Sequence, residues 1–190
     1  MGLAKRTFAV AAGADTNLQA VPGGLFGIFV KEVTAVAAPG TVQVFDNAAA
    51  AAGTAIVTVR LATNSQRLIK FPRGVRFDNG LHIAAAGADI NGHLLVGSTA
   101  GLRAIPFAGV DVLLHTGPID LYQVVAAETA GAAADWRLID DVVVAGNGFV
   151  GASHVANETV DYTFDQGIRI DTGLQYDQLA GATSGAVYIG

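Results

Sequence analysis

Four histidines, His82, His93, His115 and His154, are the side chains here best suited to proton transfer or metal ligation. No two stand at the i, i+4 spacing that sets a zinc-binding pair on one helix face. Ser98, Ser153 and Ser184 sit among small residues, yet none lies in a G-x-S-x-G nucleophile elbow. DINGH (89–93) begins like a calcium loop, and GADTN (13–17) resembles it more loosely. Both lack the further carboxylates and closing glutamate of an EF-hand and read as turns. The glycines punctuate strand-like segments instead of opening a helix, so no phosphate-cradling loop is present. Asn157-Glu158-Thr159 matches a glycosylation acceptor in form, but with no secretion signal it reads as chance. With no cysteine, thiolate nucleophiles, cysteine metal sites and disulfides are excluded. The sequence therefore assigns no catalytic, cofactor-binding or metal-ligating residue, and the expectation is a protein that is not an enzyme.

One charged pair occurs twice. Arg76 and Asp78 recur as Arg169 and Asp171 within a longer self-similarity. Residues 71–97, FPRGVRFDNGLHIAAAGADINGHLLVG, align without a gap on 164–190, FDQGIRIDTGLQYDQLAGATSGAVYIG. Eight of the 27 columns are identical, among them Gly74/Gly167, Gly80/Gly173, Gly92/Gly185 and Gly97/Gly190. Such a repeat marks a duplicated unit. Arg and Asp two apart on a strand face the same side. They read as a pair that orients the following turn, with partner docking as the functional alternative. Gly80 and Gly173 follow Asx-Asn or Asx-Thr between two strand patterns, where glycine's tolerance of positive φ suits a hairpin or bulge. The residues singled out as structural are thus Gly74, Arg76, Asp78 and Gly80, with Gly167, Arg169, Asp171 and Gly173.

The elements that hold these positions read as strands. LFGIFVKEV (25–33) alternates with Phe26, Ile28 and Val30 on one parity. TVQVFD (41–46) and WRLID (136–140) are corresponding strands, each ending in an aspartate, Asp46 or Asp140, followed by Asn47 or Asp141, and Asx residues there suit setting a turn. AIVTVRLA (55–62), RLIKF (67–71), HLLVG and AVYIG complete the pattern, while the alanine run 48–52 reads as a loop with at most a turn of helix. Pro106, within GLRAIPFAG (101–109), marks the join, and residues 110–128 correspond loosely to 16–33. Residues 1–20, ending at the breaker cluster VPGG, read as an extended N-terminal arm. The expected organisation is arm 1–20, first β domain 21–100 and second β domain 101–190. The expected fold is all-β: two tandem β-sandwich, jelly-roll-like or small barrel domains.

Composition narrows the function classes. Charged residues make up 14% of the chain, below the roughly 25% of ordinary soluble domains. The net charge of −5 argues against nucleic acid as a partner. No apolar run approaches the ~18 residues of a membrane span, and the run Phe8–Ala12 is too short for a signal peptide core. A unit of roughly 80–95 residues buries only about 60–65% of its unfolded surface. The two halves are therefore expected to pack on each other or on partner chains, with stability from docking or self-association in a reducing cytoplasm where disulfides do not form.

The order of segments in each copy resembles the small β-sandwich structural proteins of tailed bacteriophages, in particular capsid decoration or cement proteins. The features that carry it are the GIFVKEV strand, GTVQVFDN, an Ala/Gly loop, and the FDNGLHI hairpin with its final apolar strand. The resemblance implies a non-enzymatic protein without cofactors, assembled in the host cytoplasm and bound to the outside of an expanded head shell. The implied partners are the major capsid protein and further copies of itself, as in a homotrimer. Other readings are a head–tail connector, tail or fibre protein, and a carbohydrate-binding module needing exposed aromatic platforms. The last is a hydrolase, which would need a convergent polar cluster.

Overall fold

Alternating apolar and polar residues become strands throughout a computed structural model. It describes residues 6–11, 13, 15–32, 39–53, 55–86, 90–97, 101–144 and 148–190. The chain divides into two compact units, Met1–Ala104 and Ile105–Gly190.

The first unit contains β1 (Arg6–Val10), β2 (Asp15–Gln19), β3 (Gly23–Glu32), β4 (Gly40–Asp46), β5 (Val57–Leu61), β6 (Gln66–Phe77), β7 (Leu81–Ala86) and β8 (Ile90–Gly97). At the boundary begins β9 (Arg103–Ala108), followed by β10 (Val112–Thr116), β11 (Ile119–Glu128), β12 (Ala134–Asp140), β13 (Val150–His154), β14 (Thr159–Ile170), β15 (Gly173–Ala180) and β16 (Thr183–Ile189).

In the first unit the sheets run β1-β8-β3-β6 and β2-β7-β4-β5. In the second they run β9-β16-β11-β14 and β10-β15-β12-β13. Each order is that of an eight-stranded jelly roll, a double sheet wound from two Greek keys. Every strand of the first unit takes the place held in the second by the strand eight further along. The all-β expectation thus resolves to two jelly rolls of identical strand order.

The segment expected as an arm is instead part of the first jelly roll. Thr7 of β1 lies opposite Leu95 of β8, and Thr16 of β2 opposite Ile83 of β7. Its alternation is weak because both strands are sheet edges with mostly solvated side chains. Residues 1–5, 12 and 14 lie outside the described residues, as do Ser98 and Asp89 of the DINGH motif.

Inward positions build the cores. In the second unit Leu121 and Val124 of β11 and Val187 of β16 meet Trp136, Leu138 and Tyr176 of the other sheet. Each such apolar side chain contributes about 1.5–3 kcal/mol on burial. The first unit has Val42 where the second has Trp136. The larger ring is accommodated by an aromatic stack, with Tyr176 6.1 Å from Trp136 and 4.2 Å from Phe107, centroid to centroid.

The parity read for β3 shifts at one point. A bulge between Leu25 and Gly27 leaves Phe26 half-buried and puts Leu25 on the core side with Ile28 and Val30. The second unit has the same irregularity at Tyr122, between Leu121 and Gln123. An extra residue there reverses the period-two face assignment. The alanine run forms bends without helix, steered by the Asn47 side chain, whose Oδ1 accepts the Ala49 N–H at 2.9 Å.

Candidate functional site

The strand-end aspartates do something the local sequence does not show. Asp46 closes β4 and its carboxylate accepts the N–H groups of Asp78, at 3.0 and 3.1 Å, and Asn79, at 2.7 Å. Asp140 closes β12 and accepts those of Asp171 (3.0 Å), Thr172 (2.8 Å) and Gly173 (3.3 Å). These are the turns joining β6 to β7 and β14 to β15. The local Asx role expected at these strand ends is filled by the second residue of each pair, Asn47 or Asp141. Asn47 bonds Ala49, and Asp141 Oδ1 accepts the Val142 N–H at 2.6 Å. Burial alone would raise the Asp140 carboxyl; its three N–H donors outweigh that and hold it below its ordinary value of 3.8.

The paired charges flank the same turns. Arg76 Nε lies 2.6 Å from Asp78 Oδ1. Arg169 Nε stands 3.6 Å from Asp171, and its Nη1 is 3.3 Å from Asp120 across the β11–β14 ladder. All are solvent-facing, so each pair adds little energy beyond orienting the turn. Gly74 and Gly167 share positive φ, 70° and 74°, at the irregularity opposite Phe26 and Tyr122. Gly80 has φ 137°, as a hairpin glycine should. Gly173 does not; there the requirement is space, since a Cβ would come within 2.8 Å of Val142 Cγ1. Six of the eight repeated residues thus sit at or beside equivalent turns, and the other two, Gly74 and Gly167, at equivalent strand irregularities.

A second repeated clamp escaped the sequence reading. Glu32 and Glu128 end β3 and β11 with no solvent exposure. Asn64 and Asn157 occupy left-handed turns, φ 58° and 62°, just before β6 and β14. Glu32 Oε2 accepts the Asn64 N–H at 2.5 Å, and Glu128 Oε2 accepts that of Asn157 at 2.7 Å. Glu128 also accepts the N–H groups of Ala130 and Gly131. Burial would raise the Glu128 carboxyl, but donors from Asn157, Ala130, Ala132 and Gly131 keep it below its ordinary 4.5. A buried carboxylate is tolerable only with such donors. The equal spacing of Asn64/Asn157 and Phe71/Phe164 was the available signal.

Two of the histidines each meet a partner within their own unit. His154 is buried, and its Nε2 accepts the Trp136 indole N–H at 2.6 Å. Burial lowers its pKa below 6.5, against the pull of the Glu158 backbone and of Glu158, Glu128 and Asp135. Ser153 is solvent-facing on β13, and neighbouring strand residues point to opposite faces. His82 Nε2 sits 2.5 Å from Asp15 on the edge strand β2. Among the described residues no group of three or more His, Asp or Glu is placed to hold a metal ion. Among them, too, no helix is long and apolar enough to cross a membrane.

Each unit carries exposed apolar surface. On the outer face of the first unit's β1-β8-β3-β6 sheet is a hollow of about 430 Å³. Its floor is Gly27, its walls include Phe29, Leu68 and Leu95, and Lys70 and His93 stand at its rim. In the second unit the segment after β12 exposes Val142, Val143 and Val144 by 43, 55 and 43%. Charge is divided just as unevenly. The first unit holds nine Lys and Arg against five Asp and Glu, the second two against eleven. Compared with family models and with curated proteins, the sequence matches none.

Proposed function

We propose that this protein is a non-enzymatic structural component of a phage virion that binds the outer surface of the capsid and stabilises the expanded shell. The observation that carries the reading is the duplication itself: two jelly rolls of one strand order, each fastened by the same two carboxylate clamps. Jelly rolls recur in viral capsid domains and in lectins, so the fold favours this class without selecting it alone. The segment pattern resembling decoration proteins supplies the rest. Exposed apolar surface in both units, with few charges overall, suits a chain that covers another protein.

Mechanistically, tandem units let one chain touch two neighbouring capsomers at once. Binding only the assembled, expanded state stabilises that state by mass action. Linking two weak contacts in one chain raises the effective strength of the second. The major capsid protein is the partner in this reading. A carbohydrate-binding role is less well supported, because Trp136, the one tryptophan, is 1% exposed and cannot serve as a platform.

The test is co-sedimentation of the purified chain with emptied, expanded heads that lack it, alongside unexpanded heads. Saturable binding to expanded heads, with a raised disruption temperature, is expected. Absence of binding to either head form would overturn the proposal.

A further inference from the structure

We infer that copies of this chain associate head to tail, the valine segment of one copy's second unit seating in the hollow of the next copy's first unit.

The hollow is specific to the first unit and is not required by the fold. Gly27 lies opposite Lys70 on β6 and Leu95 on β8, so the sheet's outer face has no side chain at that point. At the equivalent place in the second unit, Gln123 lies opposite Thr163 and Tyr188. Around Gly27 the first unit keeps apolar side chains facing outward: Phe29 between Leu68 and His93, with Leu68 54% exposed.

The knob is specific to the second unit. After Asn47 the first unit has alanines; after Asp141 the second has Val142-Val143-Val144. The knob is held in shape, because Asp141 Oδ1 accepts the N–H groups of both Val142 (2.6 Å) and Val143 (3.4 Å). Three consecutive exposed valines, the first two bonded through their N–H groups to Asp141, are what an apolar hollow can accept.

Charge selects the same pairing. The hollow lies on the unit with four excess positive charges and has Lys70 and His93 at its rim. The knob is rooted in Asp140 and Asp141, on the unit with nine excess negative charges. Like units repel and unlike units attract, which steers association toward first unit on second. Every copy carries both halves of the fit, and the opposite charges of the two units favour a second copy as the occupant. Because knob and hollow differ, the contact is heterologous and repeats into a ring or a chain.

The test is sedimentation velocity of the full chain across a concentration series, without any shell. Wild type should associate with rising concentration. Association should weaken when salt rises from about 0.1 M to about 1 M and screening shortens from about 10 to about 3 Å. Val143→Ser/Val144→Ser, which removes the knob, and Leu68→Asp, which puts like charge in the hollow, should each weaken association tenfold or more. Both changes are at solvent-facing positions, and a thermal melt of each variant verifies folding. Mixing the two variants is decisive: each keeps the surface the other has lost, so one-to-one pairs should form. A monomeric wild type, variants that associate like wild type, or folded variants that fail to pair would each overturn the inference. None of these results bears on shell binding, which is measured separately.

Discussion

The carboxylate of Asp46 accepts the backbone N–H of Asn79 at 2.7 Å, joining the end of one strand to a turn in the second half of the same unit. Asp140 repeats the bond to Thr172 at 2.8 Å. In each unit a single side chain thereby ties the second-from-last strand connection to the end of an inner strand. Replacing Asp46 or Asp140 by alanine should cost about 1 kcal/mol each, toward the low side for charged hydrogen bonds because the turns are solvated. Urea unfolding should show a lower midpoint at unchanged slope.

The buried clamp should matter more. Glu128 has no exposure and several N–H donors, so Glu128→Ala leaves those donors without their acceptor. A loss of about 2–3 kcal/mol is expected. Glu128→Gln, which keeps one acceptor oxygen, should lose less. Calorimetry of both variants checks the order.

Acid should weaken the second unit in two stages. His154 is held below its ordinary 6.5 by burial, so the unfolded chain takes up a proton first. Stability is full above 6.5 and declines as pH falls from there toward the folded value. Asp140 and Glu128 are held below 3.8 and 4.5. Their contribution is present above those values and is lost as pH falls through the lower folded ones. A pH series of denaturation midpoints should show both declines, and Glu128→Gln should reduce the second.

Two glycines shared by the repeats should tolerate nothing larger. A Cβ at Gly185 would stand 2.0 Å from the Val125 carbonyl oxygen, and one at Gly92 2.2 Å from that of Phe29. Each lies in the central strand pairing of its unit, β16 on β11 and β8 on β3. Alanine at either position should cost about 1–3 kcal/mol by forcing strands apart, read as a lower melting temperature.

The sequence made the strands and the duplication readable because both rest on local pattern: period-two alternation, and glycines at one fixed spacing. The long-range partners were not readable in that way. Asp46 was expected to shape its own turn, whereas its acceptors are used by a segment 32 and 33 residues away. Glu32 and Glu128 fell out of register because the connections between the third and fifth strands differ in length between the units. The first twenty residues looked like an arm since edge strands need only one covered face. The hollow at Gly27 came from an absent side chain, visible only once β6 and β8 were placed on either side.

Cryo-electron microscopy of phage particles assembled with this protein present tests the proposed capsid role most directly. Paired jelly-roll density repeated over the outer head shell, touching the major capsid protein at many sites, is the expected result. Density confined to the tail or to one vertex, or none on the particle, would contradict it.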